Sequence, residues 1–133
     1  GVLALAPYER LRTPLGARLD LRGMPSRALV PAAISALGVL GVRERSTREA
    51  AARLACPLAV VAGAEDPVTP IDEARSIAAA ATCSRLAIVA HARHDDFHTL
   101  GRDEMIASFL AGHLSLTFVK MIIHHPDGEE QPE

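Results

Sequence analysis

Residues 56–70 read CPLAVVAGAEDPVTP, and residues 84–97 read SRLAIVAHARHDDF. Each stretch is a short apolar run that breaks into a polar turn. The first run, Leu58 to Ala62, opens into a turn carrying Asp66; the second, Leu86 to Ala90, opens into a turn carrying His94. Between them lies a segment with Ile71, Ala74, Ile77, Ala78 and Ala81 at helical spacing, which predicts one apolar stripe on an amphipathic helix. Two parallel strands joined by a helix deliver both of their following turns to one edge of a sheet. A carboxylate and an imidazole would then stand side by side, as a charge-orienting pair requires.

Outward from this unit, Val2 to Ala6 is another uninterrupted apolar run, expected to be a strand covered on both faces. The sheet is therefore expected to have about three parallel strands, beginning near Val2, Leu58 and Leu86, in an α/β fold with flanking helices. Residues 7–45 are punctuated by Pro14, Gly16, Gly23, Pro25, Pro31, Gly38 and Gly41 and read as irregular, with one short helix from Ser26 to Leu37. Ser46 followed by Glu49 is a capping-box pattern, predicting a helix from Thr47 to about Ala55 that Pro57 blocks. Thr69-Pro70-Ile71-Asp72 reads as another helix start, with Thr69 in the cap and an acid near the positive end. Arg102 to at least His113 reads as a further helix, Leu116 to Ile123 is apolar and ambiguous, and Asp127 to Glu133 reads as a disordered tail.

The two turns carry a resemblance. Gly63-Ala64-Glu65-Asp66-Pro67-Val68-Thr69-Pro70 resembles the G-x-x-D-x-x-x-P turn after the seventh strand of the α/β-hydrolase superfamily. His91-Ala92-Arg93-His94-Asp95-Asp96-Phe97 resembles the loop after its eighth strand, often G-x-G-H-x-D-[FL], with His91 and Arg93 where glycines are common. The resemblance covers about Gly1 to Leu114, and residues 1–125 would be the C-terminal half of such a domain, with residues 126–133 as the tail. It implies that Asp66 is the acid and His94 the histidine of a Ser-His-Asp triad, in a serine hydrolase of the dienelactone-hydrolase or serine-aminopeptidase kind. In such proteins the interval matching 9–45 often carries a small cap; an ordinary crossover is the equal alternative.

The same resemblance implies a nucleophile in a G-x-S-x-G elbow. None of Ser26, Ser35, Ser46, Ser76, Ser84, Ser108 and Ser115 has glycines two before and two after it. The expectation is a fragment whose upstream part holds the nucleophile and oxyanion hole, inactive alone. Its first strand should then have an open edge, through which the chain could self-associate. The substrate of the parent would be a small ester, thioester or amide, with no cofactor.

Other residues compete for these roles. Glu65 is the rival acid, Asp95 and Asp96 read as solvated neighbours, and Tyr8 as a packing residue that could instead line a pocket. Metal binding is the alternative function: His91, His94, Asp95, Asp96 and His98 place five potential ligands in eight residues, and a non-catalytic module would use the same loop. A net charge of −2 over 133 residues gives no electrostatic case for nucleic acid. No run approaches the ~20 apolar residues of a membrane span, and a cytoplasmic location follows as the expectation. Cys56 and Cys83 make no disulfide framework and read as small buried hydrophobes.

Overall fold

The computed structural model describes residues 1–96. The helix expected over 102–113, the ambiguous 116–123 segment, the acidic tail and His98 lie outside the described residues. Elements follow in the order β1 (Val2–Leu5), α1 (Arg12–Leu21), α2 (Ser26–Val39), α3 (Thr47–Ala52), β2 (Leu58–Gly63), α4 (Ile71–Ala80) and β3 (Ser84–Val89). The three strands form one parallel sheet in the order β1-β2-β3. Leu58 pairs with Val2 on one side and Ser84 on the other, and Gly63 pairs with Val89.

The pattern of burial follows from strand position. Central β2 is buried at every residue, which is why its sequence is a continuous apolar run rather than an alternation. Leu58, Val60 and Ala62 share one face, and Ala51 of α3 and Ala74, Ile77 and Ala78 of α4 pack against it. Ile77 is only 1% exposed, and burying a side chain of that size stabilises by roughly 1.5–3 kcal/mol. β1, by contrast, is half-buried along Leu3 to Leu5 and exposed at Val2. The expectation that β1 is covered on both faces is thus not met among the described residues, where no strand pairs with its outer edge.

Three further expectations change. The 7–45 interval holds two helices, not one, because Pro14 sits in the first turn of α1, where the amides have no helical acceptor and a missing N–H costs nothing. Pro31 lies inside α2 on an exposed position, leaving the Arg27 carbonyl without its usual helical donor. Both helices stop at a residue with positive φ, Gly23 at 68° and Gly41 at 82°. In each, the next amide reaches back to close the last turn: Met24 N–H to the Leu19 carbonyl at 2.9 Å, and Val42 N–H to the Leu37 carbonyl at 2.9 Å. β3 starts at Ser84, two residues before its apolar run, since pairing with Leu58 recruits the polar Ser84 and Arg85 into the ladder. Cys83 is exposed and Cys56 half-buried, so neither is the buried hydrophobe its composition suggested.

Side chains tie the segment after β1 to the sheet's helices. Glu73 of α4 accepts from the Glu9 amide and the Thr13 hydroxyl, both at 2.7 Å. The Ser46 hydroxyl accepts from the Glu49 amide at 3.2 Å, the forward half of the expected capping box. Arg12 and Glu44 form an ion pair at 2.5 Å, and the Arg12 side chain holds the Glu44 carboxyl below its usual range.

Candidate functional site

The turns after β2 and β3 are stitched together by their backbones. The Ala64 amide donates to the Val89 carbonyl at 2.9 Å, and the Glu65 amide to the Ala92 carbonyl at 3.1 Å. Ala92 is fully buried and its carbonyl presses on Gly63, where a Cβ would lie 2.2 Å from the oxygen. A residue without a side chain is what lets the two turns approach this closely. His91 takes the strain of the second turn, with φ of 57°, so the position where glycine is common does adopt the left-handed backbone, on a histidine. Arg93 does not.

This stitching brings Asp66 and His94 together. His94 Nδ1 lies 2.9 Å from Asp66 Oδ2. The Asp66 side chain is 1% exposed and that of His94 21%. Asp66 Oδ1 accepts from the amides of Val68 at 2.7 Å and Thr69 at 2.9 Å, the side-chain-to-backbone pattern of an Asx turn. Its Oδ2 also accepts from the Thr69 hydroxyl. Burial by itself pushes the carboxyl pKa up, but the Thr69 hydroxyl and amide, the imidazole and the Val68 amide together outweigh it, and the net shift is downward. Asp66 is therefore an ionised, acceptor-only group whose one remaining direction points at an imidazole.

Thr69 is the member of this cluster that the sequence did not disclose. It is not the cap of α4: that position is Pro70, with no side-chain cap. Thr69 is instead 2% exposed, with its hydroxyl 3.3 Å from His94 Nδ1 as well as on Asp66. The signal that could have found it is the three-residue spacing from an aspartate in a turn, which suits both an amide and a hydroxyl contact.

The other sequence candidates lie apart. Glu65 is exposed and meets His91 Nδ1 at 2.7 Å, forming a second carboxylate–imidazole pair on the surface. His91 and His94 thus turn toward different carboxylates, and among the described residues no group of three or more His, Cys, Asp or Glu side chains converges as a metal site would require. Asp95 is exposed and Asp96 half-buried. Tyr8 lines a cleft of about 210 Å³ with Leu11, Ile34, Leu37 and Val42; neither Asp66 nor His94 borders it. Among the described residues, no helix is long and apolar enough to cross a membrane.

No family model and no curated protein matches the chain. Among solved structures, Rv0554 from Mycobacterium tuberculosis is similar with a TM-score of 0.50 at 19% identity, over 84% of this chain and 54% of its own. BpoC from Mycobacterium tuberculosis H37Rv, named as a non-heme bromoperoxidase, follows with 0.49 at 19% identity over 88% and 57%. The esterase RhEst1 from Rhodococcus sp. ECU1013 has 0.47 at 18% identity over 75% and 38%. The chain spans about half the length of the first of these. At this identity the likeness speaks to fold: a three-stranded parallel sheet with flanking helices, corresponding to part of the α/β-hydrolase fold.

Proposed function

We propose that this chain is the C-terminal half of a serine hydrolase acting on an ester, thioester or amide, with His94 as general base and Asp66 as its orienting carboxylate. One observation carries the reading. A buried, ionised carboxylate at the end of one strand faces Nδ1 of an imidazole at the end of the next, at 2.9 Å.

The chemistry needs this polarity. A serine hydroxyl is a weak nucleophile until a base takes its proton as it attacks. With Nδ1–H directed at Asp66, Nε2 of His94 carries the lone pair that receives that proton. The imidazolium so formed is stabilised by the Asp66 carboxylate, which itself stays ionised. Nε2–H then protonates the leaving alcohol, thiol or amine, and the same cycle with water releases the acyl group. The nucleophile and the oxyanion donors come, in this proposal, from outside the 133 residues. Helices α1 and α2, within residues 9–45, would be a small cap or an ordinary crossover, and residues 1–125 the hydrolase part. Substrate choice would lie with that segment and with loops of the longer protein, since fold alone does not fix function.

The test is a chromogenic short-chain ester assay on the isolated chain and on the longer protein encoded with the reading frame upstream of Gly1. The isolated chain is expected to be inactive and the longer protein active. In the latter His94→Ala should lower kcat/KM by ~10²–10⁴-fold or more, and Asp66→Asn by a comparable factor through the wrong tautomer. Retained activity in His94→Ala together with a large loss in His91→Ala would show that the loop had been assigned in the wrong register.

A further inference from the structure

The geometry points to Thr69 as the positioning residue of the Asp66–His94 pair, its amide and hydroxyl clamping both carboxylate oxygens and leaving the imidazole a single proton arrangement; this rests on the reading of that pair given above. The amide donates to Oδ1 at 2.9 Å and the hydroxyl to Oδ2. A carboxylate held at both oxygens by one residue cannot rotate about its Cβ–Cγ bond without breaking two hydrogen bonds. The clamp is itself rigid: Thr69 is 2% exposed, and a β-branched side chain has few rotamers to choose from.

The protons then follow by elimination. Ionised Asp66 only accepts, and the threonine has one hydroxyl proton to give. The hydroxyl lies closer to Oδ2 than to Nδ1, which is 3.3 Å away, so its proton goes to the carboxylate. Toward the ring the Thr69 oxygen can only accept. His94 Nδ1, flanked by Oδ2 at 2.9 Å and Oγ1 at 3.3 Å, must carry the hydrogen, because a bare nitrogen there would face two oxygen lone pairs. Nε2 is thereby left unprotonated in the neutral ring, the form a general base requires. A valine of the same shape would keep the amide contact but remove both consequences of the hydroxyl.

Nuclear magnetic resonance of the full 133-residue chain tests this without any turnover. In the wild type, His94 is expected as the Nδ1–H tautomer with a protected Hδ1. In Thr69→Val that proton should exchange with solvent at least about tenfold faster, the scale of one lost buried hydrogen bond, and the Asp66 carboxyl should titrate at higher pH. Thr69→Ser should restore both, which a purely space-filling role would not predict. Wild-type exchange and wild-type Asp66 titration in Thr69→Val overturn the inference. Should the valine variant fail to fold, the wild type decides: a slowly exchanging Thr69 hydroxyl proton with a cross-peak to His94 Hδ1 supports it, and absence of that proton while His94 Hδ1 is visible overturns it. Asp66→Asn separates the two layers. If it leaves the His94 tautomer unchanged, the pair itself is wrong; if it changes the tautomer while Thr69→Val does not, only the role of Thr69 falls.

Discussion

Gly63→Ala is a one-methyl change with a calculable consequence. Gly63 ends β2 opposite Val89, and an alanine Cβ there would lie 2.2 Å from the Ala92 carbonyl oxygen and 2.9 Å from its carbon. The obstacle is backbone in a fully buried residue, so no side-chain rotation can relieve it. Restoring ordinary contact needs the Ala92 carbonyl to retreat by about 1 Å. That retreat lengthens the 3.1 Å bond from the Glu65 amide beyond hydrogen-bond range. Overpacking costs typically 1–3 kcal/mol and the lost bond about 1 kcal/mol, so the loss of stability should be about 2–4 kcal/mol. Because His94 is two residues beyond Ala92, its 2.9 Å contact with Asp66 should open by a similar distance. Urea denaturation followed by circular dichroism measures the first effect, as a fall in midpoint of about 1–4 M for an m-value near 1–2 kcal/mol/M. The control is Gly38→Ala in α2, where nothing lies within 4 Å of the new Cβ and replacing a helical glycine should stabilise by about 0.5–1 kcal/mol. If Gly63→Ala shifted the midpoint no more than Gly38→Ala, the close approach of the two turns would not be what holds the site together.

Three further outcomes are expected. Asp66 has a folded-state pKa below its unfolded one, so its contribution is present above about pH 4 and drains away as pH falls through the lower folded value; Asp66→Asn should be clearly less stable than wild type at pH 7 and much closer to it near pH 2, and a pH-independent difference would contradict the depressed carboxyl. His91→Gly removes a left-handed strain of about 1–2 kcal/mol, against roughly 0.5–1 kcal/mol of added glycine chain entropy and the loss of a solvent-exposed pair with Glu65 that is worth little, so thermal unfolding should move up slightly; a clear drop would mean the strain at this position is smaller than the terms opposing it. The open side of β1 presents unpaired backbone groups among the described residues, so the isolated chain should self-associate in sedimentation velocity, and a single monomeric boundary at high concentration would argue against an available edge.

What the sequence determined by itself was the strand–helix–strand unit and the two turns. A short all-apolar run bounded by Pro57 and the Gly63 turn is too short for a helix and suits a buried strand, and Leu58 to Gly63 is buried throughout; Ala74, Ile77 and Ala78 could share a face only on a helix. Given two parallel neighbours, Asp66 and His94 had to emerge at one edge. What only the tertiary structure decided was which atoms meet there. The spacing of Thr69 from Asp66 could suggest the carboxylate contact, but that His94, 25 positions away, joins them is invisible to spacing. Glu65 and Asp66 are adjacent acids with equal chemistry in one dimension. The backbone bonds from Ala64 and Glu65 to the second turn send one carboxylate outward to His91 and the other inward to His94. The same limit hid α1: a proline is a break or a beginning according to whether its amide has an acceptor to lose, and that depends on where the helix starts, which the tether of Glu9 and Thr13 to Glu73 helps to set across 60 or more residues of chain.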